Sequence, residues 1–215
     1  MRFDIGIAEK YRESVKDALE TIMARGNADH KRVTGAILES DMLVQVQPVS
    51  KVKASGVTGV IDPPKTAKKI ARGEMSLLDA LGEIYINIAE ETIDTGGQRG
   101  CEGTFVHEGR HAYDFATMIQ TYSTAEMNPL GIFDPTLYEL ELAAHKTAGD
   151  YMLCIDKDEY LDEGLQLMIL GRQTGSGPCY VDDAGIHKRL CDSYGLTPEG
   201  NQGPMASQLV GLKLS

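Results

Sequence analysis

The chain lacks tryptophan altogether, and aromatic residues make up only 6% of its 215 positions. It has no run near the roughly 18 consecutive apolar residues that a membrane-crossing helix needs, so no membrane span is expected. No signal peptide is expected either: the opening MRFDIGIAEKYRES places Asp4 and Glu9 where an unbroken apolar stretch would stand. The protein is therefore expected in the cytoplasm, as a piece of a longer chain, or exported by a route that cleaves no signal. Basic residues are outnumbered, 21 Lys and Arg against 32 Asp and Glu, for a net charge of −11. No nucleic-acid partner is expected, because such binding draws its affinity from clustered cations on phosphates. The one basic stretch, KTAKKIAR at 65–72, suits the solvated face of a short helix. An acidic surface favours basic substrates by steering.

Cysteine is scarce too. Cys101, Cys154, Cys179 and Cys191 lie far apart with no C-x-x-C pair, so neither a thiolate zinc site nor a dithiol redox motif is indicated. Free thiols are expected, with a Cys179–Cys191 bridge open to the chain in an oxidising compartment. The glycine-rich TGGQRG at 95–100 fits neither G-x-G-x-x-G nor G-K-[ST], which excludes a nucleotide fingerprint and leaves a flexible turn. What is present is ordinary for a soluble globular protein: 42% hydrophobic, 25% charged, and enough length for one compact domain.

Along the chain, Tyr11, Val15, Ala18, Leu19 and Ile22 recur at helical spacing and predict a helix over 8–25, ended by Gly26-Asn27. Residues 42–49 alternate like a strand, with Pro48 marking either an edge strand or the strand's end. A short helix at 76–82 precedes a strand over 83–89, where Ile84, Ile86 and Ile88 share a face. Helices are predicted at about 101–122, from Asp134-Pro135 to about 154 with Asp134 as N-cap, and over 160–172. Residues 173–178 read as a linker, and the tail to 215 is Gly-rich with weak periodicity. The class is α+β: a mostly helical domain over 1–172, with a small sheet before the 101–122 helix, and a 173–215 extension packed on the same domain.

The chemistry concentrates in FVHEGRHAYDF at 105–115, which contains His107-Glu108-x-x-His111. Two imidazoles four residues apart on a helix point to one side and can share a metal ion. Taking about 100° per residue from His107, Phe105, Ala112, Phe115, Ala116 and Ile119 fill a sector from about 80° to 180°, the face to be buried. Glu108 falls inside that sector and His111 on its shoulder. A carboxylate on a buried face needs a cation or a metal-activated water, since desolvation otherwise protonates it. Asp114, on the same side, is placed either to accept the outer N–H of a ligand imidazole or to sit exposed. On the next helix Leu137, Ala144, Ala148 and Tyr151 form an apolar stripe whose missing i+4 position is Glu141. Glu139 is rotated about 200° away and reads as a solvated charge. His145, one turn after Glu141, is a hydrogen-bond donor to the transition state, a support for the ligands, or a ligand itself.

These residues resemble the zincins of the gluzincin type, which carry H-E-x-x-H on one helix and a glutamate on a later one. The resemblance covers about 83–154 and rests on the motif plus Glu141-Leu-Ala-Ala144; no H-x-x-G-x-x-H continuation of the metzincin kind follows. It implies one Zn2+ held by His107, His111 and Glu141, with Glu108 as general base and Asp114 supporting the ligands. It also implies that the strand at 83–89 pairs by its edge with an extended protein or peptide substrate. The expected activity is peptide-bond hydrolysis by a water whose pKa zinc lowers toward about 7. Glu108 would carry the proton, and His145, Tyr138 or His187 would stabilise the oxyanion. The same residues could instead serve a catalytically inactive zincin-like binding or scaffolding module, a hydrolase of non-peptide amides, or a metal-free buried hydrogen-bond network.

Overall fold

A computed structural model of the chain describes residues 1–155, 169–173, 177–212 and 214. The fold is mixed α and β. Four strands form one sheet in the order β1-β2-β4-β3: β1 (Arg2–Phe3), β2 (Leu43–Gln47), β3 (Gly56–Val60) and β4 (Ile84–Ala89). β4 runs parallel to β2 and antiparallel to β3, with Ile86 opposite Val44 on one side and Thr58 on the other. Ile84, Ile86 and Ile88 are fully buried, as their shared face predicts.

α5 (Glu90–Ser123) packs against β3 and β4, and α1 (Glu9–Arg25) and α2 (Ala28–Leu38) pack against α5 and each other, while α3 (Val49–Val52) and α4 (Pro63–Ala71) sit in the β2–β4 crossover. α5 is the central element, touching α1, α2, β3, β4 and α6 (Leu137–Ile155). A hairpin of β5 (Leu170–Arg172) and β6 (Cys179–Val181) leads to α7 (Asp183–Tyr194) and the short α8 (Ala206–Leu209). Ile186, Leu190, Leu196, Val210 and Leu212 join the same hydrophobic cluster as Ile22, Phe105 and Ile119, so the C-terminal segment belongs to the core.

Several expectations need correction. β4 is bonded on both sides, so it has no edge to offer; the end strands of the sheet are β1 and β3. The 95–100 glycines do not form a loop. α5 runs through them with one non-helical residue, Gly97 at φ 56°, ψ −152°, a conformation that favours glycine. Gly100 is needed for a different reason: a Cβ there would stand 2.7 Å from the Thr92 carbonyl oxygen. Asp134 does not cap α6. Thr136 and Glu139 form a reciprocal capping box at that end, with Thr136 N donating to Glu139 Oε2 at 2.8 Å and Glu139 N to Thr136 Oγ1 at 3.3 Å. Asp134 instead receives the Tyr122 hydroxyl and the Ser207 amide and hydroxyl, tying α5 to the tail. Most of the predicted 160–172 helix lies outside the described residues, and its end is the strand β5. Periodicity gave no sign of α2, which starts at Asn27 as N-cap rather than merely following α1. Cys179 and Cys191 are both free thiols, as are Cys101 and Cys154.

Candidate metal centre

The apolar periodicity of α5 and α6 decides what the centre can be. Phe105, Ala112 and Ile119 are fully buried on α5, and Ala144 and Tyr151 on α6. Packing those stripes together carries Glu108, His111 and Glu141 inside with them, at 6%, 7% and 8% exposure.

At the junction the imidazoles and the carboxylate face one another. His107 Nε2 is 3.2 Å from His111 Nε2 and 3.5 Å from Glu141 Oε2, and His111 Nε2 is 3.5 Å from Glu141 Oε1. A tetrahedral ion with ligand bonds of about 2.0–2.1 Å has ligand–ligand edges of about 3.4 Å. His145 Nε2 stands slightly farther, 3.8 Å from Glu141 Oε2, with its ring 4.6 Å from that of His107. His107, Glu141 and His145 each offer a ligand atom within 4.8 Å of the other two, so this His–Glu–His cluster could hold a metal ion.

The unmet valences in the interior fit a cation. Glu141 Oε2 and both ring nitrogens of His145 are buried with no hydrogen-bond partner, as is His111 Nδ1. Burial alone would raise the Glu141 carboxyl, but the facing His107 and His111 rings outweigh it and hold that group well below the usual carboxylate range. The same pairing raises His111 against the opposing pull of burial. Burial, assisted by charge on His107, pushes His145 down to about 3, so its ring is neutral and able to offer a lone pair.

Glu108 lines the cleft with His107 and His145 and also reaches the sheet. Thr58 on β3 donates its hydroxyl to Glu108 Oε2 at 2.7 Å. This approach requires Gly56, where a Cβ would lie 2.7 Å from Glu108 Cγ. Asp114 is buried, and both its oxygens accept from Arg110 Nε at 2.9 and 3.0 Å, whereas His111 Nδ1 has no partner. Burial raises its carboxyl although Arg110 pulls it down.

A cleft of about 870 Å3 opens onto His107, Glu108 and His145, within the usual size of a small-molecule or peptide-side-chain site. Gly96, Gly100 and Gly103 line it at helical spacing ahead of His107, so the glycine-rich segment makes a trough along α5. Two lining residues come from α7, a helix that periodicity did not single out: Arg189 and Tyr194. Tyr194 ends α7, where Gly195 at φ 66° closes the helix through bonds to Cys191 and Leu190 carbonyls. Burial, with the Glu141 charge, pushes the Tyr194 phenol up to about 12, keeping it a donor. Tyr138 and His187, two expected oxyanion candidates, bond to each other and do not line the cleft. Comparison with family models, with curated proteins and with solved structures returns no match for this chain.

Proposed function

We propose that the chain is a zinc metallopeptidase of the gluzincin type, with His107, His111 and Glu141 as ligands and Glu108 as general base. The observation that carries this reading is the set of three near-tetrahedral edges, 3.2, 3.5 and 3.5 Å, with His107 lining the adjoining cleft. Two histidines and a carboxylate are the donor set of a catalytic zinc centre, which leaves a coordination position free. When bound, the ion supplies Lewis-acid polarisation of the scissile carbonyl and a lower pKa for the attacking water.

The chain's own groups do the rest. Glu108, oriented by the Thr58 hydroxyl, takes the water's proton and returns it to the leaving amine. Tyr194, held protonated at the cleft, donates to the oxyanion in place of Tyr138 or His187. The free edge of β3 beside Glu108 can pair with an extended substrate, the role first expected of β4.

Glu108→Gln is expected to retain one zinc per chain by metal analysis while peptide hydrolysis falls by about 100- to 10,000-fold. Unaltered hydrolysis in that variant would sink the general-base assignment. A second reading is favoured by one observation, the unpartnered His145 nitrogens next to Glu141. With His145 as a fourth ligand the centre would be closed and structural. His145→Ala separates the two: the catalytic reading expects stoichiometric zinc to persist, and the closed reading expects it to be lost.

A further inference from the structure

The cleft walls carry several charged side chains, and almost all have a partner. Arg99 Nη1 lies 2.7 Å from Glu102 Oε2, Glu91 accepts the Val49 amide at 2.7 Å, and Glu108 accepts from Thr58. Arg189 is the exception. Its Nε is buried without an acceptor, and among the described residues no carboxylate pairs with it. Arg12 is the other arginine with an orphaned Nε, but its guanidinium has Glu9 at 3.8 Å and stacks toward Phe3 on the outside of α1.

Arg189 is fixed in the cleft by its neighbours. Ile186 and Leu190 on either side are fully buried, so α7 cannot turn, and the Gly195 closure sets its end. The guanidinium sits near enough for its charge to act on both His145 and Tyr194, the groups flanking the candidate metal centre. In a chain of net charge −11, a half-buried cation beside the reacting position, with no acid opposite it among the described residues, suits an anion. The planar fork of arginine matches a carboxylate with two parallel N–H bonds.

We propose that Arg189 is the receptor for a substrate carboxylate, so that the cleft takes peptides bearing a free carboxylate near the scissile bond. The carboxylate is either a C-terminal α-carboxylate or an Asp or Glu side chain. This rests on the peptidase reading for the bond cleaved, but not for the binding. A local cation here opposes the preference for basic substrates that net charge alone predicts, and it acts at contact range where salt screens least.

The test uses the full zinc-loaded chain and three sets of otherwise identical peptides: free acid, C-terminal amide, and amide with Asp or Glu exchanged for Asn or Gln around the cut. The wild-type chain is expected to favour a carboxylate-bearing set by about 10- to 100-fold in kcat/KM, mainly through KM. Preference for the free acids assigns the α-carboxylate, and preference within the amides assigns the side chain. In Arg189→Met that ratio should collapse toward one, and Arg189→Lys should restore part of it. Calorimetric binding of the same peptides to zinc-loaded Glu108→Gln reads the preference without turnover. Carboxylate-selective binding with no hydrolysis in wild type supports the receptor and sinks the peptidase reading. Hydrolysis with all sets treated alike overturns the receptor and leaves the peptidase. If Arg189→Met lowers kcat equally for every set, Arg189 serves the oxyanion and the proposal is overturned. Should Arg189→Met not fold, the wild-type peptide ratio decides by itself.

Discussion

Two clusters of buried polar groups lie along the α5–α6 interface, and they differ in one respect. In the first, Glu102 is fully buried, holds Arg99 through both oxygens, and accepts the Tyr151 hydroxyl at 2.9 Å. Nearby His30, 2% exposed, accepts the Asn27 amide on Nδ1 and bonds the Thr147 carbonyl through Nε2 at 3.0 Å. In the second, Glu141, His111 and His145 are buried to a similar degree yet keep orphaned atoms. The same residue types at the same depth thus do two jobs. Satisfied polar groups hold helices together, and unsatisfied ones sharing a focus could hold a metal ion.

That contrast can be broken from either side. Glu102→Ala removes a buried carboxylate from Arg99 and Tyr151, and chemical unfolding should show a loss of about 3–5 kcal/mol with zinc stoichiometry unchanged. Zinc loss together with a small stability change would mean that the first cluster is not the structural one. The reverse is expected of Glu141→Ala: metal binding is lost, and the metal-free protein is weakened only by losing the pairing of Glu141 with His107 and His111. Chelation of the wild type should lower stability by about 2.7 kcal/mol relative to zinc at a hundredfold above its Kd. A wild type whose unfolding ignores chelator would leave the orphaned atoms without their explanation.

What was legible in the sequence follows from which interactions are local. His107 and His111 share one side of the helix, and the burial of Glu141 was readable because Ala144 and Tyr151 repeat around it at helical spacing. The 3.5 Å approaches of Glu141 on α6 to both His107 and His111 on α5 agree with that pattern. Arg189 and Tyr194 were not legible, because α7 reaches the cleft by tertiary packing and nothing in a twelve-residue helix announces which face meets a site 80 residues earlier. The trough glycines were misread for a related reason: glycine lowers helix propensity, yet close packing and a single kink at Gly97 outweigh it here. β3 escaped because Gly56 and Gly59 look like loop punctuation, and only the contact with Glu108 shows why a side chain at 56 would not fit. Glu139 looked merely solvated until Thr136 supplied its capping partner.

The smallest effects sharpen the satisfied cluster. His30→Ala removes a helix cap and a buried bond to Thr147, and should cost about 1–2 kcal/mol without altering metal content. His30 also gives this cluster a pH signature. Burial lowers its pKa from the ordinary 6.5, against the raising influence of the Thr147 carbonyl, Asp150 and Asp29. The unfolded chain therefore binds the proton first as pH falls. Stability from His30 is complete above about 6.5 and declines as pH drops from there toward the folded-state value, with a slope no steeper than about 1.4 kcal/mol per pH unit. His30→Gln cannot titrate, so the stability difference between wild type and variant, measured by urea unfolding from pH 5 to 8, should be flat above pH 7 and move in the variant's favour below 6.5. A difference that stays constant across that range would show that His30 carries its proton equally in both states, and the satisfied cluster would then lose its clearest marker.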